Sequence, residues 1–77
     1  MNDYAIKLYE NAIELYPNYF EFHLYIGGLL LKKNVVSAID YLKKSKQLIN
    51  KFEQELEDRD KILKEIEQLL KKASSKS

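Results

Sequence analysis

The chain has 77 residues, which is enough for one small domain whose single hydrophobic core supplies only modest stability. It contains no cysteine and one histidine, which excludes disulfide bonds and leaves no ligand set for a zinc site. Thirteen basic and twelve acidic residues give a formal net charge of +1 and are mixed along the chain, whereas nucleic-acid binders usually carry a basic stripe.

The chain also lacks the apolar segments that membranes and secretion require. Its longest apolar stretch, residues 24–31, is far shorter than the about 20 residues that span a bilayer. The first residues include Asp3 and no apolar core of a signal peptide. We therefore expect a cytoplasmic protein that needs no cofactor or metal ion and binds neither nucleic acid nor membranes.

The first predicted helix covers Asp3 to Tyr16 and is apolar over about half of its circumference, which is wider than the stripe of an ordinary surface helix. Such a helix needs two neighbours. Pro17 ends it, and Asn18 is predicted to cap the second helix with Glu21 as its capping-box partner. The apolar positions of this first helix are Ala5, Ile6, Leu8, Tyr9, Ala12, Ile13, Leu15 and Tyr16.

The second predicted helix, residues 19–33, is apolar almost all round and is therefore expected at the centre of the fold. Its one polar wedge contains Glu21, Gly28 and Lys32, with Tyr25 at the edge. Asn34 suits a cap at its C-terminal end, and Ser37 then starts the third helix.

Two interpretations compete for residues 37–73, which contain neither proline nor glycine. Heptad spacing from Ala38 to Ala73 predicts one continuous helix about 55 Å long, against about 22 Å for its neighbours. Alternatively the chain turns near Asn50. The lysines of residues 43–51 would then end one helix, and the acids of residues 53–60 would begin the next, as the helix dipole favours.

The charge pattern favours the second interpretation. The sequence therefore predicts an all-α fold of four helices in antiparallel hairpins, with three helices and a long C-terminal helix as the alternative. Residues 1–73 form the single domain, and residues 74–77 are predicted to be a disordered tail.

A sequence repeat relates the first predicted helix to the third. Ala5-Ile6 recurs 33 residues later as Ala38-Ile39, and in the same register Tyr9 matches Leu42. A period close to 34 in helical hairpins resembles the tetratricopeptide repeat. The second helix of the repeat is matched by Ala5, Tyr9, Ala12 and Pro17. The first helix of the following repeat is matched by His23, Ile26, Gly27 and Leu30, and its second helix by Ala38, Leu42 and Ser45.

The resemblance covers residues 5 to about 50, or one and a half repeats. His23 replaces the usual large aromatic residue, and Arg59-Asp60 fall where a close helix contact belongs. The fourth helix is therefore expected to be a capping helix.

The resemblance implies a protein-interaction module with a partner groove on its concave face. The family positions that line this face correspond to Glu21, Leu24, Gly28, Leu31 and Lys32. These positions coincide with the polar wedge and its apolar flanks, and Tyr25 at the edge of the wedge is added to the predicted partner-binding set. Family members that grip a peptide's carboxylate use lysine and asparagine where Leu24 and Gly28 stand. A bound peptide or helix is therefore expected to be held mainly by apolar contact.

An alternative function is structural self-assembly with no separate ligand. The helix that would cover Ile6 and Ile13 is missing from the repeat pattern, so these residues are predicted to form a homo-oligomer interface. An enzyme is not expected, because no nucleophile–base set, phosphate-binding loop or pair of catalytic carboxylates can be assembled.

Overall fold

The computed structural model describes residues 2–76, with side chains for residues 3–75. These residues form four helices: α1 (Asn2–Leu15), α2 (Phe20–Leu30), α3 (Val35–Phe52) and α4 (Arg59–Lys76). No strand occurs in this part of the chain. The prediction of an all-α fold with four helices is confirmed, and the alternative of one helix over residues 37–73 is wrong.

Each helix packs against the next one in the chain, and the most extensive contact joins α2 to α3. The core is a cluster contributed by α2, α3, α4 and the turn after α2, and no described side chain of α1 is fully buried. This arrangement agrees with the sequence, because α2 is the most apolar helix. The core cluster consists of Phe20, Leu31, Ala38, Leu42, Leu48, Ile49, Ile66 and Ala73.

α2 and α3 approach closely at Gly27. A Cβ atom added at Gly27 would lie 2.8 Å from both Cγ and Cδ2 of Leu42 and 3.4 Å from its backbone nitrogen. Ala38 and Ser45 of α3 are fully buried, and the Ser45 hydroxyl donates a hydrogen bond to the Leu42 carbonyl at 2.7 Å. Small residues thus allow close packing of these two helices.

The turn between α3 and α4 lies at residues 53–58, after Asn50 rather than at it. Asn50 belongs to the last turn of α3, where its side-chain oxygen accepts a hydrogen bond from Arg59 Nη2 at 2.6 Å. Its carbonyl accepts another from Gln54 Nε2 at 2.9 Å. The acids of residues 53–58 lie in the turn, and only Asp60 is in the first turn of α4. The break was predicted correctly, but the helix dipole accounts for only one of these acids.

The helix ends differ from the predicted ones, and α2 in particular ends at Leu30 and not at residue 33. α2 begins after Tyr19, which makes no side-chain capping bond, so the predicted cap at Asn18 is wrong. Asn34 caps the start of α3, where its Oδ1 accepts from the Ser37 N–H at 3.1 Å. The C-cap of α2 is Leu31, although the Asn34 N–H donates to the Leu30 carbonyl at 2.8 Å. α4 continues through Ser74 and Ser75 to Lys76, beyond its predicted end at Ala73, and residue 77 lies outside the described residues.

None of the helices within residues 2–76 combines the length and the apolar character needed to cross a membrane.

Candidate functional site

An apolar groove of about 470 Å³ runs across α2, and we call it the α2 groove. α1 and α4 form its two sides, although no extensive contact joins these two helices. The surplus apolar surface of α2 is thus only partly covered by its neighbours. The residues that line the α2 groove are Ala5 and Tyr9 of α1; Leu24, Tyr25, Gly28 and Leu29 of α2; and Glu65 and Leu69 of α4.

Gly28 keeps the middle of the groove open. A Cβ atom added at Gly28 would meet no atom within 4 Å, in contrast to the tight approach at Gly27. Glycine disfavours a helix by about 1 kcal/mol relative to alanine. Glycine at position 28 therefore destabilises the helix, and no close contact within the described chain requires a glycine there. Any larger residue at this position would extend into the groove.

A row of aromatic rings fixes α1 against α2 beside the groove. Tyr9 packs against Tyr25 with ring centroids 5.6 Å apart and against Phe22 at 6.3 Å. Phe22 in turn packs against Tyr19 at 4.8 Å. Such tilted pairs are favourable beyond simple area burial. Tyr25 nevertheless remains about half exposed, so part of its side chain is available to a ligand.

The structure brings together only part of the predicted partner-binding set. Leu24, Tyr25 and Gly28 line the α2 groove. Leu31 is 8% exposed and belongs to the core cluster, so its prediction as a surface contact is wrong. Glu21 lines a separate cavity of about 190 Å³, and Lys32 is exposed in the turn after α2, outside the groove.

Five groove residues were not predicted as a site from the sequence: Ala5, Tyr9, Leu29, Glu65 and Leu69. Tyr9 was predicted as an apolar position of the first helix, and it is half-buried beside the groove. The α4 residues lie at the groove because the α3–α4 turn directs α4 back along α3. No local sequence pattern specifies that direction.

Ile6 and Ile13, predicted to be uncovered, are half-buried. The exposed apolar residues of α1 are instead Tyr4, Leu8 and Leu15, which are 71%, 50% and 74% exposed. The sequence therefore identified an excess of apolar surface on α1 but assigned it to the wrong face.

A further cavity of about 350 Å³ is lined by five residues with polar or charged groups: His23, Ser37, Asp40, Tyr41 and Lys44. Buried His23 donates from Nε2 to the Pro17 carbonyl at 2.9 Å, which fixes the turn between α1 and α2 to α2 itself. Burial lowers the pKa of His23, the Pro17 bond opposes this effect, and the charge of Lys44 adds to it. Burial, followed by the charge of Glu10, raises the pKa of Tyr41.

Histidine, serine, aspartate, tyrosine and lysine side chains occur in many active sites, but the hydrogen bond of His23 is to a backbone carbonyl. Its Nδ1 has no hydrogen-bond partner among the described residues. His23 therefore acts here as a structural link between the first turn and α2. Over the same residues, no group of three or more His, Cys, Asp and Glu side chains could hold a metal ion.

No protein-family model, curated protein or solved structure matches this chain. The resemblance to tetratricopeptide repeats therefore stays a prediction that depends on residues 5 to about 50.

Proposed function

We propose that this chain is a protein-interaction module of tetratricopeptide type that binds a short peptide segment of a partner protein in the α2 groove. The observation that carries this proposal is an apolar groove with an open centre at Gly28. Concave, mostly apolar sites with few polar groups are typical of ligand recognition. The proposal includes no catalysis.

The groove chemistry defines the peptide. Leu24, Leu29 and Leu69 offer aliphatic surface, and Tyr25 adds an exposed aromatic face. Glu65 is the only charged residue in the lining. We expect a peptide with one or two large apolar side chains and a neighbouring lysine or arginine that pairs with Glu65.

The same chemistry argues against recognition of a peptide's terminal carboxylate. Where the resemblance places the lysine and asparagine of a carboxylate clamp, this chain has Leu24 and Gly28, and both line the groove. The bound segment can therefore lie within a partner's sequence and need not be its C-terminus.

The test is selection from a random peptide library on the immobilised full chain, followed by titration of the selected peptides. Gly28→Leu would fill the groove and should weaken their binding by at least about tenfold, while Gly28→Ala is the matched control and should retain binding. Both variants should stay folded, because the site is open and both residues favour a helix over glycine by up to about 1 kcal/mol.

Glu65→Lys should specifically weaken the peptides that carry a basic residue, since it replaces attraction by repulsion. The proposal fails if the selected peptides are not apolar and basic, or if Gly28→Leu binds them as well as the parent chain.

Self-assembly is the second candidate function. It is favoured by a separate observation, the exposed apolar residues Tyr4, Leu8 and Leu15 on another face of α1.

A further inference from the structure

One face of α1 is apolar and uncovered. Tyr4, Leu8, Asn11 and Leu15 follow the 4-3-4 spacing that places residues in a row along one side of a helix. All four are exposed, and we call them the α1 stripe. Three of the four are large and apolar, which distinguishes the stripe from an ordinary solvated helix face.

The stripe faces away from the rest of the chain. At 100° per residue, its centre lies on the side of α1 opposite to half-buried Ile6 and Ile13. Tyr9, which contacts the α2 rings Phe22 and Tyr25, lies toward the same packed side as these isoleucines. The stripe and the α2 groove are therefore separate surfaces.

We propose that a second copy of this chain covers the α1 stripe, with the two α1 helices antiparallel across a two-fold axis. In heptad terms, Leu8 and Leu15 occupy a positions, and Tyr4 and Asn11 occupy d positions. Antiparallel pairing sets a against d, so Tyr4 lies opposite the partner's Leu15, and Leu8 lies opposite the partner's Asn11.

The charges beside the stripe select the antiparallel direction. Lys7 and Glu14 occupy successive g positions on one flank, and both are exposed. Neither belongs to an ion pair formed within the described part of the chain. In the antiparallel pair, Lys7 approaches the partner's Glu14, and symmetry repeats the contact, giving two attractive pairs. In a parallel pair, a g residue faces the e residue of the partner's next heptad, so Lys7 would face the partner's Ala12 and Glu14 would have no partner within α1.

Two further features agree with this direction. The e positions on the other flank are Ala5, which also lines the α2 groove, and Ala12, and their small side chains let two helices approach closely. Antiparallel helices also place opposite dipole ends side by side.

The expected association is weak. α1 has 14 residues and is about 21 Å long, and each copy contributes three apolar side chains to the contact. Such an area lies at the low end for specific interfaces, so we expect a dissociation constant on the order of 10–100 µM.

The first test is sedimentation equilibrium of the full chain from about 10 µM to about 1 mM, a range chosen to bracket that constant. The parent chain should show a monomer–dimer equilibrium. Leu8→Lys with Leu15→Lys should remain monomeric with unchanged helical circular dichroism. Val36→Lys, at a residue 71% exposed on α3, is the matched control and should dimerise like the parent. A parent chain that is monomeric throughout this range overturns the proposal.

The second test reverses the flanking charges. Lys7→Glu alone and Glu14→Lys alone should each weaken dimerisation by about tenfold, because two attractive pairs become repulsive. An equimolar mixture of the two single variants should form heterodimers, and the double variant should dimerise like the parent. If the single variants dimerise as tightly as the parent, the antiparallel arrangement is wrong, even if the stripe variants are monomeric.

Discussion

Gly27 and Gly28 are adjacent in α2 but have opposite structural roles. We predict that Gly27→Ala lowers the free energy of unfolding by about 1–3 kcal/mol, because the new Cβ atom would lie 2.8 Å from two atoms of fully buried Leu42. Gly28→Ala meets no atom within 4 Å and should raise stability by up to about 1 kcal/mol. Urea denaturation of the two variants checks this contrast, and equal midpoints would show that α2 and α3 do not approach at Gly27.

His23 should make stability depend on pH. Burial, reinforced by Lys44 and opposed by the Pro17 bond, lowers its pKa in the folded chain below the ordinary value of 6.5. The unfolded chain therefore binds a proton more readily as the pH falls below about 6.5. The contribution of His23 to stability is fully present above that pH and is lost as the pH decreases through the folded-state pKa.

The measurement is the urea midpoint of the parent chain and of His23→Gln between pH 7.5 and pH 5. Glutamine does not titrate in this range, and its amide group can still donate to the Pro17 carbonyl. We expect the parent to lose more stability than the variant as the pH falls. Parallel curves would show that His23 titrates alike in the folded and unfolded chains.

At the scale of elements, the α3–α4 turn can be tested with a pair of prolines. Asn50 lies in the last turn of α3, so Asn50→Pro should cost about 3 kcal/mol by removing a helix hydrogen bond and clashing with the preceding turn. Glu57 is exposed in the turn that the Arg59 N–H closes onto the Leu56 carbonyl at 3.2 Å, and it occupies the second position, which favours proline. Glu57→Pro should therefore change stability by less than about 1 kcal/mol.

Circular dichroism and urea denaturation measure both effects. If Asn50→Pro is tolerated and Glu57→Pro is damaging, the turn lies at Asn50 in solution and not at residues 53–58.

The helices were predictable from the sequence because apolar periodicity and Pro17 act locally. Their exact ends were less so. Asn34 is suited to either end of a helix, and the structure uses it as the N-cap of α3, which begins at Val35 and not at Ser37. The acids after Phe52 indicated a chain break, but a solvated turn accommodates them as well as a helix start does.

For the molecule as a whole, the sequence predicted an excess of apolar surface, but it did not predict which residues would be exposed. About half the circumference of α1 is apolar, and the packing of α1 on α2 turns Ile6 inward and leaves Leu8 facing out. Leu69 likewise joins the α2 groove because α4 returns across α3. Periodicity within one helix contains no information on which side its neighbours cover.

The α1 stripe and the α2 groove share no residue, so we expect the two surfaces to act independently. Leu8→Lys with Leu15→Lys should abolish the dimer and leave the affinity for library-selected peptides within about twofold, since neither residue lines the groove and independent sites usually behave additively. Gly28→Leu should have the reverse effect, with peptide binding lost and the sedimentation behaviour of the parent retained. If the monomeric stripe variant also loses peptide binding, the groove needs the second copy to be complete, and the chain functions as a dimeric receptor. If Gly28→Leu abolishes dimerisation, the groove itself is the contact between copies, and the α1 stripe is not.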